Sequence, residues 1–251
     1  MVLLGRPADS FDLVLVGGGL QNGLIALSAL HREPTCRIAL VEAESTLGGN
    51  HTWCVHAEDV PDDARAWFDP LIVKRWPGYD VCFPDLTRTL DSPYAVVSSS
   101  HFARVVGDAF SAQADWKLLT GRQAIRVDAH GVELDDGTAL NGSLVIDARG
   151  PDPSGAGTRC GFQKFVGLEC RTKRPHGVLR PLLMDARCSQ QDGFRFFYVL
   201  PLEPDRLLIE ETRFSRSITL DVPAARVAIE AYAAQAWPIA EILRVERGIL
   251  P

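Results

Sequence analysis

No stretch of this chain holds the roughly 20 consecutive apolar residues that a helix needs to span a bilayer, so the sequence excludes a helical span and predicts a protein that is soluble or peripherally attached. The six cysteines, Cys36, Cys54, Cys82, Cys160, Cys170 and Cys188, include no C-x-x-C pair and lack the compact spacing of a disulfide framework. No signal peptide is read ahead of them, and free thiols in a reducing cytosol are expected. Basic runs are missing as well. With 26 Lys and Arg against 32 Asp and Glu the net charge is −6, which leaves no electrostatic footprint for nucleic acid and none for holding a membrane surface by charge alone. Internal repeats and low-complexity segments are absent. What remains is a 251-residue chain, 46% hydrophobic, with enough apolar surface for a substantial core in one or two domains.

The strongest positive signal lies near the start. The apolar run Asp12-Leu13-Val14-Leu15-Val16 leads into Gly17-Gly18-Gly19-Leu20-Gln21-Asn22-Gly23 and then a helical stretch, Leu24 to Leu30. Strand, glycine turn and helix in that order bind a dinucleotide: Gly17 permits the tight turn, Gly19 lets the backbone approach a pyrophosphate, and the helix start offers unpaired N–H groups to its charge. A second apolar run, Arg37 to Val41, ends in Glu42, where a ribose-binding carboxylate belongs. A carboxylate there would repel a 2′-phosphate, which favours FAD or NAD. Asn22 replaces the third glycine of G-x-G-x-x-G, with Gly23 one place later, and its side chain is expected to hold the helix slightly away from the strand.

Beyond Glu42 comes a small-residue loop, Ala43 to His56, placed to pass beneath a cofactor. Pro61 to Trp67 reads as a short helix, and Tyr79 to Phe83 and Tyr94 to Val97 as short strands. Ser98-Ser99-Ser100 caps a helix from about His101 to Ala114, where apolar residues recur at helical spacing. A β-meander follows, with strands near Gln123 to Val127, Val132 to Leu134 and Leu144 to Asp147. The last ends in Asp147-Ala148-Arg149-Gly150-Pro151, which a parallel sheet would return beside Gly17. From Gly161 onward the strands are longer and rich in aromatic and branched residues, near Lys164 to Cys170, Leu179 to Met184, Phe194 to Leu200 and Leu207 to Thr212. The last two form a hairpin through Pro201 to Asp205, and Asp221 caps a helix from about Pro223 to Trp237.

These segments resemble the bacterial lycopene cyclase family, flavoproteins that close β-ionone rings on carotenoid precursors. The resemblance is carried by Asp12 to Gly23, Gly48 to Trp53, Val145 to Pro151, Gly161 to Glu169, Leu183 to Ala186, Tyr198 to Leu202, Leu207 to Arg213 and Glu246 to Pro251. The Asn-His-Thr-Trp loop, the Gly-Phe-Gln-Lys-Phe-Val-Gly strand and the Glu-Glu-Thr strand end are its most specific parts. The resemblance implies an α/β fold: a Rossmann-type FAD/NAD(P)-binding domain over residues 1–160, to which a mixed-sheet substrate domain over 161–251 is joined, with 57–100 able to contribute to the second. It implies bound FAD, active in its reduced form, with NADPH as reductant, and lycopene as an oily substrate met by peripheral membrane association, in the cytoplasm or on the cytoplasmic membrane face. Family members continue well past Arg-Gly-Ile-Leu-Pro, so the chain is expected to match their N-terminal two-thirds. Cofactor contacts are expected at Gly17, Gly19, Gly23, Glu42, Gly49, His51 and Gly150.

Cyclising a polyene end begins by protonating an alkene, which demands a carboxylic acid kept neutral in a dry site, followed by stabilisation of a carbocation. Burial and a neighbouring carboxylate both raise a carboxyl pKa. Glu210 and Glu211 offer a pair at the end of an apolar strand, and alternation lets only one face a cavity unless the strand bulges. Carry-over from the family's acidic motif makes Glu210 the acid, with Glu211 tuning it or binding Arg213. Reduced flavin would supply negative charge for the cation, and one subset of Phe194, Phe196, Phe197 and Tyr198 would present aromatic faces to it. Asp185 either assists the acid chemistry or begins a turn. A redox flavoenzyme of the same architecture, a hydroxylase or prenyl reductase, shares the glycine turn, as does a non-catalytic dinucleotide-binding fragment.

Overall fold

The computed structural model describes residues 10–150 and 160–251. In chain order the elements are β1 (Ser10–Val16), α1 (Leu20–Arg32), β2 (Ile38–Glu42), β3 (Thr52–His56), α2 (Arg65–Phe68), β4 (Lys74–Trp76), β5 (Tyr79–Phe83), β6 (Leu86–Leu90), β7 (Tyr94–Ser98), α3 (Ser99–Ala112), β8 (Lys117–Thr120), β9 (Ala124–Val127), β10 (Gly131–Leu134), β11 (Ala139–Asp147), β12 (Phe162–Thr172), β13 (Leu182–Asp185), β14 (Phe194–Glu203), β15 (Arg206–Ser215), α4 (Val222–Ala234) and β16 (Ile239–Leu250). They form two compact units. One takes the described parts of Met1–Trp53, Val60–Val73 and Val96–Gly150; the other takes Cys54–Asp59, Lys74–Ala95 and the described part of Pro151–Pro251.

The first unit is built on a six-stranded sheet in the order β8-β2-β1-β11-β10-β9. Strands β8, β2, β1 and β11 are parallel, and β10 and β9 add an antiparallel edge. The central strands are buried on both faces, which is why β2 reads as an unbroken apolar run, Ile38 to Val41, with every residue at most 1% exposed. Helices α1 and α3 close one face through Ala26, Leu27, Phe102, Val106 and Phe110. The Ser98 hydroxyl accepts the His101 N–H and caps α3 as the sequence predicts. In register, β11 lies beside β1 with Val16 opposite Asp147, and Ala148 N–H donates to Val16 O at 2.8 Å, which brings the second glycine turn beside the first.

The second unit is a seven-stranded sheet, β16-β12-β15-β14-β13-β5-β6, antiparallel except for the β13–β5 pair. Helix α4, capped by Asp221, packs Ala225, Ile229 and Ala233 onto one face of it, against Val166, Phe197, Val199 and Ile209. Leu207, Leu208 and Ile209 are successive and all fully buried, so β15 is covered on both faces. Strand β16 pairs along nearly all of β12 and forms one edge.

Several boundaries move. The β14–β15 hairpin is tighter than predicted: β14 runs on to Glu203, the turn is Pro204-Asp205, and Pro201, which has no N–H to give a ladder, sits at a register shift. Strand β13 starts at Leu182 rather than Leu179, which is exposed. Residues 62–68 form a 3-10 turn and one turn of α-helix rather than a single helix. Strands β3, β4, β6, β8 and β16 were not foreseen, and β3 takes the end of the stretch from Ala43 to His56 that the sequence reads as a loop. Pro151 and the stretch up to 159, just before the domain boundary the sequence sets between 160 and 161, lie outside the described residues.

Candidate functional site

The glycine turn opens a cleft of about 410 Å³ in the first unit, lined by Gly17, Gly19, Glu42, Gly49, His51 and Gly150 together with Trp53, Arg122, Arg149 and neighbouring backbone. Its glycines do different jobs. Gly17 has φ +98°, and a Cβ there would stand 2.7 Å from Ala148 O, so only glycine fits between β1 and the returning turn. Gly19 caps α1 in ordinary extended backbone, and a Cβ there would meet no atom within 4 Å. The space in front of it is therefore free of protein. No side chain caps α1 and its first turn holds no acidic residue, so the helix start keeps free N–H donors beside that space.

Glu42 closes the turn from behind. Its Oε2 accepts the Gly18 N–H at 2.6 Å and its Oε1 the Glu44 N–H at 2.8 Å, leaving each oxygen a second lone pair for a ribose hydroxyl. Open space at Gly19, uncapped donors and an oriented carboxylate fit the diphosphate and ribose of a dinucleotide. Arg122 and Arg149, which the sequence reading did not single out, add positive charge to the cleft. Arg149 also grips Asp147 through two bonds of 2.9 and 2.6 Å.

Asn22 and Gly23 depart from expectation. Asn22 is fully buried, and its amide donates to Val16 O at 3.0 Å and Gly17 O at 2.8 Å. The side chain expected to hold the helix off the strand instead ties α1 to the end of β1. Gly23, grouped with the cofactor contacts on sequence grounds, does not line the cleft; it is buried against the Phe102 ring, which a Cβ would strike. Replacing Asn22 by Ala removes both donations and should cost about 1–3 kcal/mol. Asn22→Asp should cost more, because an acceptor would then face two carbonyls. Thermal melts in which Asn22→Asp is no less stable than Asn22→Ala would show that this amide is not a staple.

In the second unit, alternation along β15 separates the two glutamates. Glu211 is 2% exposed and lies on the α4 face, where Arg195 Nε donates to its Oε1 at 2.5 Å and Arg213 Nη2 at 2.6 Å. Of the two roles the sequence left open, tuning and binding Arg213, the structure contains the ion pair. Asp185 is on the same face, held by Arg187 at 2.8 Å through both oxygens and by the Tyr232 hydroxyl at 2.9 Å. Burial favours its neutral form, but these bonds outweigh burial and leave its carboxyl below the usual range. Phe197 is here too, stacked on Tyr232 at 4.1 Å.

Glu210 takes the opposite face. Tyr198 is its partner on β14 and Gly167 its partner on β12. Glu210 is half-buried and accepts a hydrogen bond from the Thr212 hydroxyl. Burial pushes its carboxyl pKa up to about 8; the Thr212 bond lowers it and the charge of Glu246 raises it further. Tyr198 donates to Cys54 Sγ at 2.9 Å and its hydroxyl lies 3.0 Å from that of Tyr94. Burial pushes the Cys54 thiol up to about 12, so it is an inert hydrogen-bond partner rather than a nucleophile. The stacked rings of Phe194, Phe196 and Phe214 continue this face, with Phe194 and Phe214 exposed. The sequence reading missed Cys54, Tyr94 and Glu246; the last stood in a quoted family segment without a role.

The neutral Glu210 carries a stability signature. An acid with a raised folded pKa stabilises the fold below its ordinary value, near 4.5, and that contribution is lost as pH rises through about 8. Glu210→Gln removes the dependence, so its stability should gain on the parent between pH 5 and pH 8, by at most about 1.4 kcal/mol per pH unit. Parallel melting curves across that range would contradict a buried, neutral Glu210.

Among the described residues there is no helix long and apolar enough to cross a membrane and no cluster that could hold a metal ion. Solved structures sharing the fold include a geranylgeranyl bacteriochlorophyll reductase-like protein of Thermoplasma acidophilum, with TM-score 0.70 and 11% identity over 96% of this chain and 66% of that one. Another is a probable FAD-dependent monooxygenase of Pseudomonas aeruginosa, with TM-score 0.62 and 15% identity over 95% of this chain and 73% of that one. At those identities the likeness is one of fold. The lycopene beta-cyclase of Pantoea ananas is 43% identical over 242 residues, which are 96% of this chain and 62% of the relative. The chain thus spans somewhat under two-thirds of the length of that curated relative. The family model described as lycopene cyclase protein matches residues 12–251, and the chain belongs to the lycopene cyclase family.

Proposed function

We propose that the full-length protein is a lycopene beta-cyclase, an isomerase of carotenoid biosynthesis that closes β-ionone rings on the linear ends of lycopene by acid catalysis without net redox change. The observation that carries the reading is Glu210, a half-buried carboxyl held neutral up to about pH 8 on a sheet face it shares with a run of phenyl rings. A neutral acid near physiological pH can give a proton to an alkene, which an ionised carboxylate cannot.

In the step proposed, the Glu210 O–H bond breaks as a C–H bond forms at the terminal alkene. The cation left behind draws in the next double bond to close the ring, and a ring proton then returns to the Glu210 carboxylate. Donor and acceptor are one residue, so atoms and electrons balance without an oxidant. Tyr198 and Phe196, on the Glu210 face, offer aromatic surface to the cation. Glu211 serves the fold, holding Arg195 and Arg213 under α4.

FAD would be held by Gly17, Gly19, Glu42, Gly49, His51 and Gly150, the residues that line the cleft. When bound in reduced form it supplies negative charge that favours a cation, with NADPH needed only to set that redox state. The exposed Phe194 and Phe214 suit peripheral contact with the apolar phase that dissolves lycopene. The test is an anaerobic assay of the full-length protein with chemically reduced FAD and lycopene in D₂O. Glu210 exchanges its proton with solvent between rings, so each ring should carry one solvent deuteron with no reductant used. One-to-one consumption of reductant would replace the cyclase with a redox flavoenzyme.

A further inference from the structure

Four adjacent strands place one residue each on a single row across the second sheet. Tyr198 of β14 is opposite Glu210 of β15, Glu210 is opposite Gly167 of β12, and Gly167 is opposite Glu246 of β16. Directly opposed residues of antiparallel strands project to the same face, so Glu210 and Glu246 flank a position with no side chain. Their main chains are roughly 10 Å apart, two strand spacings. The space over Gly167 is filled from one side by Glu246: a Cβ at Gly167 would stand 2.8 Å from Glu246 Cγ and 3.2 Å from its Oε1.

Glu246 is 1% exposed, and its charge is anchored. Arg244 Nη1 pairs with Glu246 Oε2 at 2.9 Å while Arg244 Nε donates to Glu169 Oε2 at 3.0 Å, and Glu169 is also paired with Arg206 at 3.1 Å. The two carboxyls across Gly167 therefore differ in kind. Glu246 has a guanidinium at hydrogen-bond distance. Glu210 has a hydroxyl, Thr212, and no cation among its perturbing charges.

We propose that Glu246 is a second functional carboxylate of the Glu210 site, a positioning residue whose fixed negative charge, reaching across the notch at Gly167, keeps Glu210 in its proton-donating form. The proposal rests on Glu210 being the acid of the proposed function. The other titratable or charged groups facing Glu210 do not supply this effect: Tyr198, Tyr94 and Cys54 are driven toward their neutral forms, chiefly by burial, and Glu169 is paired with both Arg244 and Arg206. The geometry also explains the glycine: any side chain at 167 would displace the Glu246 carboxylate.

The test compares the full-length protein with its Glu246→Gln, Glu246→Asp and Gly167→Ala variants by two readouts. The first is the ionisation of Glu210, followed without turnover by isotope-edited infrared spectra, with Glu210→Gln identifying the band. The second is the pH profile of cyclisation. Removing a negative neighbour lets Glu210 ionise at lower pH, so Glu246→Gln should move its titration, and the basic limb of the profile, down by about one unit. That is roughly a tenfold loss of rate above the limb with little change below it. Glu246→Asp keeps the charge and should restore most of the shift; Gly167→Ala should show a smaller shift of the same sign and carries the test if Glu246→Gln fails to fold. An unmoved Glu210 titration in both Glu246→Gln and Gly167→Ala overturns the proposal. If the titration moves while the parent itself forms no rings, the coupling stands and the cyclase reading falls.

Discussion

Replacing Glu210 by Gln should slow lycopene cyclisation by about a hundred- to ten-thousandfold while the flavin content of the full-length protein stays at the parent level. Glutamine keeps the shape and can still accept the Thr212 hydrogen bond, so the packing around residue 210 is undisturbed. What disappears is the acidic proton. The adjacent residue provides the contrast. Glu211→Gln removes the negative charge that balances Arg195 and Arg213 in a buried setting and should cost about 3–5 kcal/mol of stability, with turnover falling only as folded protein is lost. Two neighbours on one strand should therefore fail differently, one in chemistry and one in folding. Near-normal turnover by Glu210→Gln, measured per folded molecule, removes the acid from the mechanism.

Gly19→Val should yield a folded protein with little or no bound FAD. The backbone at Gly19 is extended and its Cβ direction is open, so the change costs the fold only the poorer helix cap, about 1 kcal/mol. The valine would instead occupy the space proposed for the pyrophosphate. Gly17→Val should fail earlier, because φ +98° is strained for any side chain and the carbonyl of Ala148 blocks the Cβ. Circular dichroism and flavin absorbance on the two variants separate the cases. Full flavin occupancy in Gly19→Val would mean that the cleft binds something other than a dinucleotide, or binds it elsewhere.

What could be read from the sequence was what acts over a few residues. The glycine turn declares itself because strand, turn and helix are contiguous, and the caps at Ser98 and Asp221 because a cap lies next to its helix. Alternation correctly set Glu210 and Glu211 on opposite faces. Choosing between the faces needed tertiary partners: α4 and the arginines at 195 and 213 on one side, Tyr198 and Gly167 on the other. Asn22 misled because side-chain bulk was weighed and its two donors were not. Glu246 was invisible as a partner of Glu210 because their link is register, which passes through β12 and has no local signature. Strand β8 escaped because four residues, Lys117 to Thr120, are too few to show a period.

The row from Tyr198 to Glu246 also sets a timetable. Strand β16 is the last element of the chain described, and it joins the sheet through β12. Glu246 leaves the ribosome 36 residues after Glu210, an interval of roughly two to seven seconds at about 5–20 residues per second. Until β16 docks, the place opposite Gly167 is empty and Glu210 lacks its neighbour. The proposed neighbour of Glu210 therefore arrives after it, and in a nascent chain that has not yet paired β16 only burial would keep the acid neutral.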